Sequence, residues 1–138
     1  MIKCAATMFL AVAVLSGCGP ASPSVSLKDI NPTRVYTADK TKLLDAMRMY
    51  CAKYDFTLRG IEPETGRVRG YRRVETLREE EARTILMIVY VIELKEGKTR
   101  VEAKFVYDKI EGAPTRQDET TLVDCYTSLF RFLDNETK

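Results

Sequence analysis

No histidine occurs anywhere in the 138 residues. Without it no Ser-His or Cys-His pair can be assembled, which removes the usual route to nucleophilic catalysis. Phosphate-cradling loops are missing too: the seven glycines form neither a Gly-x-Gly-x-x-Gly nor a P-loop spacing. A membrane-crossing helix needs roughly 20 apolar residues, whereas the apolar stretch from Cys4 to Gly17 has 14. Charge of neither sign prevails, with 22 basic against 20 acidic side chains, so net charge gives no footprint for nucleic acid. The one acidic run, Glu79-Glu80-Glu81, lies in a charged connection and reads as a solvated face. These absences argue against an enzyme and imply no cofactor and no metal.

What is there begins at the N-terminus. Met1-Ile2-Lys3 forms a short basic start, the uncharged apolar run follows, and the run closes on small residues at Ser16 and Gly17. This is the pattern of a secretory signal. Its small-residue site ends in cysteine, and Leu15-Ser16-Gly17-Cys18 resembles the lipobox of bacterial lipoproteins. The resemblance implies cleavage before Cys18, diacylglycerol on its thiol and acylation of the freed amine. Small side chains let a peptidase reach the backbone, and a thiol is the nucleophile that takes a lipid. Two or three acyl chains hold stably where one binds reversibly, so the protein is expected to be membrane-tethered. Gly19 stands where an Asp would act as an inner-membrane retention signal in enteric lipoproteins; by that resemblance the location is the outer membrane, with the domain in the periplasm.

Removing residues 1–17 takes away one lysine and no acid, which leaves 121 residues with 21 basic and 20 acidic side chains. One domain of modest core is expected. Residues 18–32 read as the lipidated N-terminus and a tether, since Gly19 to Ser26 is a run of Gly, Pro, Ala and Ser around a single Val. Residues 33–138 read as an α+β domain. With Cys4 lost and Cys18 lipidated, Cys51 and Cys125 remain. In an oxidising periplasm they make a candidate disulfide; the alternative is two reduced thiols packed as small hydrophobes.

Period and turn chemistry give the elements. Thr33 to Thr37 is a short β-prone stretch. Asp39 offers an N-cap to a helix reaching Tyr54, with Leu43, Met47, Tyr50, Cys51 and Tyr54 on one stripe. Asp55 to Ile61 alternates, a turn at residues 62–66 follows, and Arg67 to about Leu77 completes a hairpin. Thr84 to Leu94 is the most apolar run, rich in β-branched residues and thus a central strand. After a turn at residues 96–98, Val101, Ala103, Phe105 and Tyr107 alternate with Arg100, Glu102, Lys104 and Asp108, as a half-buried antiparallel strand does. Gln117 to about Asn135 is a second helix with Leu122, Tyr126, Leu129, Phe130 and Leu133 on one face. The resulting β-α-β-β-β-β-α order calls for a two-layer sandwich, an antiparallel sheet of about five strands with two helices on one face. Side-by-side helices would let Cys51 and Cys125 meet.

The stretches Val35-Tyr36-Thr37, Leu44-Asp45-Ala46-Met47, Asp55-Phe56-Thr57-Leu58 and Thr65-Gly66-Arg67-Val68 resemble small helix-grip domains of envelope lipoproteins. Among these are accessory lipoproteins of the outer-membrane β-barrel assembly machine. The resemblance implies an architecture; fold alone implies no activity.

The sheet face away from the helices carries the least ordinary pattern. Arg67, Arg69, Tyr71 and Arg73 share that face by period two, and Arg59 joins them from the preceding strand. In the central strand both alternating sets are apolar. We place Met87, Val89 and Val91 beside the arginines as its exposed members, giving an apolar stripe with a cationic border of the kind found in partner-binding surfaces. The alternative is that arginine stems lie over the stripe and cover it. The expected function is a non-catalytic interaction or accessory module of the outer membrane, held by Cys18 and binding an envelope protein. Its rival is a periplasmic binding module that takes a lipid, lipopolysaccharide or peptidoglycan-like ligand on Arg67, Arg69 and Arg73.

Overall fold

A computed structural model describes residues 25–74, 83–109 and 115–138. The signal sequence, Cys18 and the connection at 75–82 lie outside the described residues. The domain is α+β, as its periodicities require: β1 (Thr33–Tyr36), α1 (Lys40–Lys53), β2 (Thr57–Glu62), β3 (Arg67–Val74), β4 (Arg83–Glu93), β5 (Thr99–Asp108) and α2 (Arg116–Glu136). The strands make one sheet in the order β1-β5-β4-β3-β2. Every neighbouring pair is antiparallel, and both helices cover the same face.

Local chemistry sets the element ends. Asp39 caps α1 by accepting from the Lys42 N–H at 2.7 Å. Thr115 and Asp118 form a capping box on α2, in which Thr115 N–H donates to the Asp118 carboxylate at 2.8 Å and Asp118 N–H to the Thr115 hydroxyl at 3.2 Å. The β2–β3 turn ends on Gly66 at φ +75°, where its N–H donates to Glu62 O and its carbonyl accepts from Val91 N–H at 2.8 Å.

The core lies between the layers. Leu43, Met47 and Tyr50 of α1 and Leu129 and Leu133 of α2 are fully buried on Val68, Ile85, Met87, Val89, Val91, Val101 and Phe105 of the sheet. Each such side chain contributes about 1.5–3 kcal/mol by leaving water. Phe105 meets Tyr126 edge-on at 4.9 Å and lies 5.7 Å from Phe56. Polar groups here are partnered. Thr99, buried on β5, donates to Ala38 O at 2.7 Å, and the Phe105 N–H, beyond the end of β1, donates to the Tyr126 hydroxyl at 3.0 Å.

Two sequence expectations are corrected. The tether was expected to extend to Pro32, but its last part belongs to the body. Ser26 to Pro32 packs along α2 through a short 3-10 turn at Leu27–Asp29, with Leu27 and Ile30 against the core and Pro32 O accepting from Ala103 N–H at 2.8 Å. Two apolar side chains together with hydrogen bonds to Glu119 and Ala103 hold a segment that has no periodicity. Secondly, Met87, Val89 and Val91 are not on the outer face. All three are 0% exposed beneath the helices, because β3 presents Val68 and Gly70 inward and pairs them with Val89 and Met87. Cys51 and Cys125, the candidate disulfide pair, are both buried and stand as free thiols. Cys125 Sγ accepts from Arg72 of β3 at 3.4 Å, and the α1 side chain that reaches it is Tyr50, whose hydroxyl donates to Cys125 O at 3.2 Å.

Candidate interaction surface

The register of the sheet builds the outer face row by row. Glu62, Arg67, Tyr90, Glu102 and Thr33 stand across from one another in one row; Gly60, Arg69, Ile88 and Lys104 form the next; Thr57, Tyr71, Leu86 and Val106 the third; Arg73, Thr84 and Asp108 the last. At the opposite end Ile92 faces Arg100, which faces Val35. Leu86, Ile88, Tyr90 and Ile92 thus run as an apolar stripe down β4, widened by Tyr71 and Val106. None of the stripe is fully buried; Tyr90 is 39% exposed and Val35 54%. No helix of the described residues covers this side.

Cations border the stripe. Arg59 sits at a bulge in β2, between the pairs Leu58–Gly70 and Gly60–Arg69, and its guanidinium stacks on Tyr71 at 4.9 Å. A bulge bends an edge strand and re-aims a side chain. Arg67 Nη2 lies 2.7 Å from Glu62 Oε1, and Arg69 Nη2 lies 3.9 Å from the same oxygen. Hydrogen bonding from Arg67 holds the Glu62 carboxyl below its ordinary range, and Glu62 raises Arg67 in return. Arg100 Nε lies 3.1 Å from Glu102 Oε1. The Nε atoms of Arg67 and Arg100 are buried, so these two stems press onto the sheet and partly cover the stripe, as arginine stems do. Among the described residues, six cations (Arg59, Arg67, Arg69, Arg73, Arg100 and Lys104) meet three carboxylates (Glu62, Glu102 and Asp108) on this face.

Of the residues singled out from sequence, Arg59, Arg67, Arg69, Tyr71 and Arg73 come together on one surface. Met87, Val89 and Val91 do not join them. The residues that sequence reasoning missed are Leu86, Ile88, Tyr90, Ile92 and Val106. Tyr90 carried a usable signal: it is the one side chain between Ile85 and Ile92 with a polar tip, which suits a face that meets water.

The inner face holds one residue that breaks the pattern. Arg72 points toward the helices, with its guanidinium over Phe56 at 4.8 Å, Nη1 donating to Tyr54 O at 3.2 Å and Nη2 to Cys125 Sγ. Burial nonetheless dominates at both thiols and pushes Cys51 and Cys125 up to about 11, so they are protonated at neutral pH and poor nucleophiles. Elsewhere, a groove of about 500 Å³ lies between the N-terminal segment and α2, lined by Ile30, Tyr126, Phe130, Arg131, Arg34 and Asp134. Two of its four charges are spent internally: Asp134 accepts from Arg34 Nη1 at 2.7 Å and from the Tyr36 hydroxyl at 2.9 Å, while Arg34 lies over Phe130 at 4.8 Å. Compared with protein-family models and with curated proteins, the sequence matches none.

Proposed function

We propose that this is a non-catalytic lipoprotein of the outer membrane, anchored through lipid on Cys18, whose periplasmic domain acts as an interaction or accessory module by binding an envelope protein. The observation that carries this reading is the open face of the sheet. Leu86, Ile88, Tyr90 and Ile92 line up between Arg67, Arg69, Arg73, Arg100 and Lys104 with no element of the described chain over them. An apolar centre with a polar, arginine-rich rim is the composition of recognition surfaces. The anchor rests on Leu15-Ser16-Gly17-Cys18 and the apolar run before it. A ligand-binding role for Arg67 and Arg69 is less favoured, since both guanidinium groups lie against Glu62.

A photo-crosslinking amino acid at Ile88, in intact cells making the full chain, tests the surface. We expect a discrete adduct from Ile88 and none from Gln117 on α2; equal yields at the two sites would refute it. Fatty-acid labelling tests the anchor, with label expected in the wild type and absent from Cys18→Ala.

A further inference from the structure

The start of the described chain is fastened to the helix layer. Glu119, in the first turn of α2, accepts two hydrogen bonds on one oxygen, from Leu27 N–H at 2.9 Å and from the Ser26 hydroxyl at 3.1 Å. Leu27 and Ile30 then pack against the core beside α2. The chain therefore leaves the body on the helix layer, on the side opposite the arginine-bordered stripe.

Length converts this exit point into an orientation. Eight peptide steps separate Cys18 from Ser26. Fully extended they span at most about 28 Å, and with coil statistics about 16 Å. A helix with its side chains is about 10–12 Å across, and a second layer adds about 10 Å. Carrying the anchor from Glu119 round the sheet edge to the outer face would take about 20–22 Å, beyond the coil length. Lying with α1 and α2 toward the bilayer takes little of it.

We propose that the Ser26/Leu27 clamp on Glu119 turns the helix layer toward the anchoring leaflet, and so holds the Leu86–Ile92 stripe away from lipid, toward a protein partner with an apolar centre and an acidic rim. This rests on the lipid-anchored reading above. The acidic rim follows from charge: six cations against three carboxylates leave the face with a positive excess among the described residues, and complementary sign is what steers and registers a partner. A second copy of this chain would set two positive faces against each other.

Two measurements test the two halves. For orientation, the chain from Cys18 onward, which contains the whole core, is coupled through Cys18 to a maleimide phospholipid. It is then inserted in vesicles of phosphatidylethanolamine and phosphatidylglycerol at about 3:1 that carry a headgroup energy acceptor. The lipid is attached chemically, so this arm reads orientation independently of fatty-acid labelling in the cell. Energy transfer from a fluorescent amino acid at Thr120 on α2 should exceed that from Lys104 on β5 at least twofold, with Glu119→Ala narrowing the difference. Equal transfer, or the reverse order, overturns the orientation. For the partner, the Ile88 crosslink is repeated in Arg73→Glu/Lys104→Glu, with melting temperature as the folding control. A loss of adduct of fivefold or more is expected. An undiminished adduct, or one of two copies of this chain, overturns the acidic partner.

Discussion

Substituting alanine for Gly66 adds a methyl carbon directly against the Val91 carbonyl oxygen, with the carbonyl carbon at 2.9 Å. Backbone is on both sides of that contact, so no side-chain rotation relieves it. Three costs combine. Alanine at φ +75° costs about 1–2 kcal/mol. The displacement that the clash forces is an overpacking cost of about 1–3 kcal/mol. Moving the turn also weakens the Val91 N–H bond to Gly66 O, 2.8 Å long, worth about 1 kcal/mol. The expected loss is about 3–6 kcal/mol. Gly97 supplies the internal control: its φ is +70° but nothing lies within 4 Å of an added Cβ, so Gly97→Ala should lose only about 1–2 kcal/mol. Urea unfolding followed by circular dichroism, with equal m-values, reads both. Losses equal within about 0.5 kcal/mol, the usual additivity error, would refute the close approach of the β2–β3 turn to β4.

Further outcomes follow from burial and charge. Met87→Ala should destabilise by about 2–5 kcal/mol through the cavity it leaves, and Ile88→Ala on the open face by about 1 kcal/mol or less; the opposite order in urea midpoints would invert the sheet. Asp118→Asn should cost about 1–2 kcal/mol. Burial opposes ionisation of Asp118, but the Thr115 N–H and hydroxyl and Arg83 outweigh it and hold the carboxyl below its ordinary range. Its contribution is therefore complete above about pH 4 and fades as pH falls toward the lower folded value, so wild type and variant should converge only in acid. Cys51 and Cys125 rise to about 11 in the fold, so what their protonated burial contributes is complete below about pH 9 and is lost as pH climbs to 11. At pH 8 both should react with iodoacetamide at least about a hundredfold more slowly than in the unfolded chain, and unfolding without reductant should release two thiols rather than none.

Elements with a single consistent period were readable from sequence. Asp39 followed by Leu43, Met47 and Tyr50 specified α1 with its cap, and Val101, Ala103, Phe105 and Tyr107 against Arg100, Glu102 and Lys104 specified which side of β5 is buried. The β4 strand could not be read in this way. Its two faces, Met87-Val89-Val91 and Leu86-Ile88-Tyr90-Ile92, are both apolar, so hydrophobicity is degenerate there. Pairing decides it, through Gly70 opposite Met87 and Tyr71 opposite Leu86, and pairing is a long-range fact. The same holds for Ser26 to Pro32, whose place was set by Glu119 some 92 residues away. Arg72 was legible in principle, since it shares parity with Val68 and Gly70. An arginine at an inward position is accommodated by Phe56, Tyr54 O and Cys125, and none of these three is near it in sequence.

The clamp on Glu119 also sets where a mechanical pull would be felt. Tension entering at residue 26 is borne first by the 21-residue helix α2, through two hydrogen bonds, and only later by the four-residue strand β1. Peeling residues 26–31 from the helix turns them into at most about 21 Å of extended chain before the Pro32 O bond to Ala103 N–H and the β1 ladder are loaded. A tug on this leash would thus lengthen the reach of the domain while the sheet, and the surface it displays, stay intact.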